Sequence, residues 1–395
     1  MTNTRRRFLS LTAGATAAAL AAPYIRPSWA QSGPIRLGLL LPYSGTYAQL
    51  GGAITQAMEL WVKEQGGSLA GREITFVKVD DESAPPKATE LTTKLIEGEN
   101  VDILSGTVHS GVAMAMAKIA NEAGIPTICP NAGAQALTQQ LCSPTFFRSS
   151  FANGQVGYAT GLAMVDAGIT SAATVTWAYA AGDESVAGFK RAFEEAGGEV
   201  VRDIAVPFPD VEFQAALAEV ASLRPEAVYT FFAGGGAVKF ISDYSAAGLM
   251  DSIPLWGAGF LTDGVEQAVG AAGNGVKTAL HYAEGLDYPE DKAFREAYSA
   301  AYGMQPDVYA VQGWDGMHIL QIGLEAVDGD LSRKDEFLAA MAAAEFNSPR
   351  GPFRLSASHN PICNFYLREL QDGKNVLQGV AAEMLEDPTT GCSMA

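Results

Sequence analysis

Residues 101–130 read VDILSGTVHSGVAMAMAKIANEAGIPTICP, and residues 227–257 read AVYTFFAGGGAVKFISDYSAAGLMDSIPLWG. Each passes from a short apolar strand through a Gly-containing loop into a helix, then through Gly and Ile-Pro into a second strand. Outward from the first stretch the same grammar continues. Ile35–Leu41 is an unbroken apolar run, the habit of a strand buried on both faces of a parallel sheet. Leu50, Ile54, Met58 and Trp61 then recur at helical spacing. Ile74–Val79 is the next strand, and Pro85 opens a helix. Strand Val101–Leu104, helix Ser110–Ala123 and strand Ile125–Cys129 complete the set. From Ala173 it repeats: strands over 173–177, 199–206, 227–232 and 253–256 alternate with helices over 184–196, 213–223 and 235–247. Two similar α/β lobes are expected, each with a parallel sheet between helices.

The last third is not a third lobe. Helices are expected over 291–302, 307–327 and 333–343, with strands over 362–370 and 376–381. The chain is expected to return to lobe one near Tyr282–Leu286 and to lobe two near Phe353–Leu355. Lobe one is then 31–150 plus 283–353, lobe two 151–282 plus 354–385, and 386–395 a C-terminal tail. Repeated crossings of this kind make a hinge.

The N-terminus reads as a cleavable export signal. Arg5, Arg6 and Arg7 precede Phe8 and Leu9, an Ala-rich apolar stretch follows to Ala22, and Ser28 and Ala30 place the cut before Gln31. The paired arginines with Phe8 and Leu9 resemble a twin-arginine signal. Residues 1–30 hold four arginines and no acid, so their removal takes the formal charge from −18 to −22. So acidic a chain is a poor partner for nucleic acid or an anionic membrane surface. Cys129 reads as a buried strand thiol. Tying the tail to a loop makes Cys142 with Cys392 the preferred bridge, although four cysteines allow three connectivities.

Open parallel sheets take ligands beyond the C-terminal ends of their strands. The segments at those ends are rich in small and aromatic residues: Tyr43 and Tyr47 after the first strand, His109 and Ser110 after the third, and Asn131, Ala132 and Gly133 after the fourth. Lobe two contributes Tyr179, Gly182 and Asp183, then Phe232 and Gly234, then Gly259 and Phe260. Small residues let backbone approach a ligand. The helix starting at Ser110 offers free N–H groups to a carboxylate. The aromatic residues suit a flat or apolar body. Phe231 and Phe232 alternate at a strand end, so one of them belongs to the core. No nucleophile elbow, phosphate loop or zinc motif occurs, and the four histidines show no metal-ligand spacing. No metal or cofactor is expected.

In order and spacing, Ile35-Arg36-Leu37-Gly38 before Ser44-Gly45, the Ser105–Ser110 loop, Pro126 before Pro130, Arg148, and Gly351-Pro352-Phe353 resemble the exported solute-binding proteins of branched-chain amino acid (leucine/isoleucine/valine) type ABC transporters. The likeness covers nearly all of the chain after the signal. It implies a type I periplasmic binding protein fold with a multiple-crossover hinge, no catalysis, a monomer, and delivery of a small organic acid to an inner-membrane ABC permease. It implies that Ser110 holds the ligand carboxylate, helped by backbone around Ala132 and Gly133. Amino-acid binders carry an acid near Gly259 to hold the ammonium, and this chain has none there. Asp183 or Glu184 is the substitute. The whole pattern is closer to members that bind aromatic carboxylates, with an amino acid as the alternative ligand. A ligand sensor of the same fold and an exported enzyme are the competing classes.

Overall fold

The computed structural model describes residues 33–395; the expected signal and its cut lie outside them. The first sheet holds β1 (Ile35–Leu41), β2 (Ser68–Leu69), β3 (Arg72–Asp80), β4 (Ile103–Gly106), β5 (Thr127–Cys129) and β6 (Phe146–Arg148). Their order is β2-β3-β1-β4-β5-β6, and all pairs are parallel except β2 with β3. Helices α1 (Ala48–Glu64), α2 (Pro85–Thr93) and α3 (Ser110–Ala123) connect these strands.

After α4 (Asn153–Asp166) the second lobe runs β7 (Ser171–Ala178), α5 (Ala180–Glu195), β8 (Glu199–Pro207), α6 (Gln214–Leu223), β9 (Ala227–Phe231), α7 (Gly234–Ala246), β10 (Leu255–Ala258), α8 (Glu266–Val269) and β11 (Lys277–Leu280). Its order β8-β7-β9-β10-β11 repeats β3-β1-β4-β5-β6 strand for strand. The two-lobed α/β architecture expected from the sequence is therefore present, down to a common topology.

Helices α9 (Pro289–Tyr302), α10 (Val308–Ala326) and α11 (Lys334–Ala342) return to the first lobe, with α10 packed along α1. The chain then joins the second sheet through β12 (Glu345–Ser348), β13 (Gly351–Leu355), β14 (Pro361–Gln371) and β15 (Lys374–Leu385). These are antiparallel additions that meet β11 through β14.

The lobes are joined by buried polar clamps. Arg350, fully buried, pairs with Asp315 on α10 at 2.9 Å and donates to the carbonyls of Ser149 and Ser150 in the first crossing. A guanidinium out of water needs such partners for its charge and its N–H groups. Arg148 donates to the Asn360 side chain at 2.8 Å and the Ala134 carbonyl at 2.6 Å. The tail beyond β15 runs back to the first lobe. Asp387 accepts from Gln139 at 3.1 Å, and a disulfide joins Cys392 to Cys142 with Cα atoms 5.5 Å apart. Cys129 and Cys363 are free and buried. Among the described residues, no helix is long and apolar enough to cross a membrane, and no group of His, Cys, Asp and Glu is placed to hold a metal.

Candidate functional site

In each lobe the strand order reverses direction beside the first strand, at β1/β4 and at β7/β9. Loops leaving such a point diverge and open a crevice. The two crevices face each other across a narrow pocket. Lobe one supplies Tyr47, Leu50, Val108, Ser110, Asn131 and Gly133. Lobe two supplies Tyr179, Ala181, Phe231, Ala233 and Phe260. Phe151 and Asn153, from the first crossing, and Tyr309, from the first turn of α10, complete the wall. Six of these side chains are aromatic and none is charged.

Ser110 is the first residue of α3, where backbone N–H groups lack intrahelical partners and the dipole favours negative charge. Its Oγ accepts from Asn153 Nδ2 at 3.3 Å. The same amide donates to Glu184 Oε2 at 2.7 Å, which also accepts the Gln135 N–H at 3.0 Å. Burial raises the Glu184 carboxyl above its ordinary value, opposed by those hydrogen bonds. Asn131 is oriented from below, donating to Gln312 Oε1 at 2.7 Å, with Gln312 in turn bonded to His281 at 3.1 Å. Gly133 is forced by packing: a Cβ there would stand 2.3 Å from Asn153 Oδ1 and 2.6 Å from the Phe151 ring.

The lobes touch directly around this cavity. Tyr47 and Tyr179 join hydroxyls at 2.9 Å. Gln49 donates to the Gly264 carbonyl at 2.5 Å, and Asp263 accepts the Val308 N–H at 2.8 Å. Gly234 lies at φ +55°, and a Cβ there would stand 2.3 Å from the Thr46 carbonyl of the facing lobe. The conformation is closed.

Of the residues singled out from sequence, Tyr47, Ser110, Asn131, Gly133, Tyr179 and Phe260 meet at the cavity. The others stand elsewhere, each for a local reason. Phe232 points into the lobe-two core among Trp177, Phe213 and Phe240, so Phe231 is the cavity residue of that pair. Tyr43 turns to Thr55, with hydroxyl oxygens 2.9 Å apart. His109 is the N-cap of α3: its Nδ1 accepts the Gly111 N–H at 3.0 Å, and its ring stacks on Tyr179 at 4.8 Å. Burial pushes its pKa down to about 4, so it is a neutral support behind the wall and not a cation. Ala132 donates its N–H to Thr107. Gly182 packs on the Trp177 carbonyl, and Asp183 is exposed on α5. Gly234 serves the contact between lobes, and the Gly259 carbonyl accepts from Arg368 at 2.9 Å.

Phe151, Asn153 and Tyr309 escaped the sequence reading because they lie on crossings and not on strand ends. Asp307 does mark the helix start that places Tyr309, since its side chain accepts the Ala310 N–H at 2.9 Å.

A solved ABC transporter solute-binding protein from R. palustris, in complex with benzoate, is 63% identical. Its TM-score is 0.90, with 91% of this chain and 100% of that chain covered. Another, from Rhodopseudomonas palustris BisB5 in complex with 3,4-dihydroxybenzoic acid, is 30% identical with a TM-score of 0.85, covering 90% and 99%. A Leu/Ile/Val-binding protein homolog from Brucella melitensis biotype 1 is 29% identical over 361 residues, 89% of this chain and 91% of the relative. These likenesses agree with the paired lobes and the cavity between them, and residues 34–375 match the periplasmic binding protein family, to which the chain therefore belongs.

Proposed function

We propose that the protein captures aromatic monocarboxylates of the benzoate type in the periplasm and passes them, unchanged, to an inner-membrane ABC permease. The observation that carries this reading is the cavity wall, which has six aromatic side chains, no charged one, and a helix N-terminus at Ser110. The α3 N–H groups and Ser110 suit a carboxylate. A flat ring gains both apolar burial and aromatic contact in such a wall. An ammonium buried there lacks a facing carboxylate, which is costly: Glu184 already accepts two hydrogen bonds, and Asp183 faces solvent. The benzoate and dihydroxybenzoate complexes of the two R. palustris proteins support the same class.

Export supports delivery to a periplasmic site. The Arg5–Arg7 cluster, the apolar stretch and Ala30 form the signal, and the mature protein works as a monomer without cofactor. The name of the Brucella relative favours branched-chain amino acids as the second reading. Calorimetric titration of ligand-stripped protein with benzoate, 4-hydroxybenzoate and leucine separates the two. Binding of an aromatic acid well ahead of leucine is the expected result. Micromolar leucine binding without any aromatic response overturns the proposal.

A further inference from the structure

Asn153 and Ser110 stand side by side on the cavity wall. A side-chain amide has an oxygen face and an NH2 face, which a half-turn exchanges. Either face fits against a serine hydroxyl, which both donates and accepts. If the NH2 faces it, Ser110 keeps its own proton for a ligand. If the oxygen faces it, Ser110 spends that proton on Asn153.

The choice is made by Glu184, on α5, which is not part of the cavity wall. Its Oε2 accepts the Gln135 backbone N–H at 3.0 Å. A backbone N–H only donates, so this oxygen is an acceptor, and the amide face turned to it is the NH2. That contact measures 2.7 Å. The same Nδ2 lies 3.3 Å from Ser110 Oγ. One nitrogen thus gives one hydrogen to Glu184 and the other to Ser110. Asn153 and Ser110 are each 1% exposed, so water does not compete for either. The Asn153 backbone N–H is in turn held by the Gly133 carbonyl at 2.8 Å. Ser110 is left with a lone pair engaged and a proton to donate, at a helix start whose N–H groups also donate. Donors alone suit a group that only accepts. A carboxylate is such a group, whereas a primary amide of the same shape brings an NH2 of its own.

We propose that Glu184 is a positioning residue that, through Asn153, fixes Ser110 as a hydrogen-bond donor to the ligand and so selects a carboxylate over an uncharged amide of the same shape. The inference rests on the aromatic-acid reading of the cavity.

Titration of wild type, Glu184→Ala and Glu184→Gln with benzoate and benzamide tests it. Wild type is expected to prefer benzoate. In Glu184→Ala the Asn153 amide is free to turn, and benzoate affinity is expected to fall about tenfold, the lower end of the range for a hydrogen bond to a charged group. Benzamide affinity is expected to change by less than about twofold, since an amide pairs with Ser110 in either sense. Glu184→Gln keeps an acceptor oxygen of the same reach and is expected to return benzoate affinity to within about threefold of wild type. A matched melting midpoint shows that the variants are folded. Glu184→Met, similar in length and without an acceptor, reports the same loss if the Ala variant misfolds. Equal losses for the two ligands, a Gln variant as weak as the Ala variant, or wild-type benzoate affinity in a folded Ala variant overturns the role of Glu184 and leaves the aromatic-acid reading standing. Failure of wild type to bind benzoate overturns that reading, and this inference with it.

Discussion

The hydroxyl oxygens of Tyr47 and Tyr179 lie 2.9 Å apart, one on the loop after β1 and the other on the loop after β7, so one hydrogen bond spans the cleft beside the cavity. Both rings are also held by Phe208, at 5.6 and 5.0 Å. Phe208, half-buried on lobe two, thus packs against both members of the pair when the lobes are together.

Replacing either tyrosine by Phe is expected to weaken ligand binding by about two- to tenfold, through faster release. The double replacement is expected to cost little more than either single one. A double-mutant cycle by calorimetry and stopped flow checks this. Additive losses would show that the two hydroxyls act separately.

Ser110→Ala is expected to weaken binding of an aromatic carboxylate by about tenfold to a hundredfold, the range for a hydrogen bond to a charged group. Its effect on methyl benzoate, which has no carboxylate, is expected to be small. Wild-type affinity for the acid in the folded variant removes Ser110 from the site.

His109 is expected to contribute no pH dependence to affinity between pH 6.5 and 8.5. His109 falls to about 4 by burial, so no imidazolium is lost over that range, and no wall residue is charged. A tenfold loss on raising the pH through 7 would assign the carboxylate to His109⁺. The same shift acts on stability below this window. The unfolded state takes up the proton near 6.5 and the folded state only near 4, so stability is complete above 6.5 and lost as pH falls towards 4. The loss amounts to about 3 kcal/mol at most. His109→Asn keeps a capping acceptor, and its stability relative to wild type is expected to rise as the pH is lowered. Urea melts at pH 7 and pH 4.5 measure the difference.

Gly234→Ala is expected to hinder closure, because its Cβ meets the Thr46 carbonyl only when the lobes are together. The left-handed backbone adds about 1–2 kcal/mol in either state. Gly235→Ala, whose Cβ would stand 3.7 Å from Thr46 Oγ1, is the matched control. Small-angle scattering with saturating ligand is expected to show compaction for the control and not for the Gly234 variant. Equal compaction would place closure elsewhere.

The fold was legible because buried parallel strands announce themselves as unbroken apolar runs. Ile35–Leu41 was read to the residue, and so was the helix from Ser110 to Ala123. The wall contributed by strand ends was also legible, since topology alone sends Tyr47, Ser110 and Tyr179 to the cleft. Parity at a strand end was not. Phe231 and Phe232 are chemically alike, and only the twist of β9 and the ring of Trp177 decide which one enters the core. Phe151, Asn153 and Tyr309 depend on where distant segments cross between lobes, a long-range fact with no local periodicity. Packing also accounts for some of the glycines: a Cβ on Gly182 would meet the Trp177 carbonyl, and one on Gly259 would meet Leu280.

The bond between Cys142 and Cys392 closes a covalent ring that contains the entire second lobe, since 250 positions separate its ends. A protease that cuts any exposed loop within that ring opens the circle without releasing a fragment. Under oxidising conditions a nicked molecule therefore keeps its mass and both halves of its cavity. Only reduction turns the nick into two separate chains.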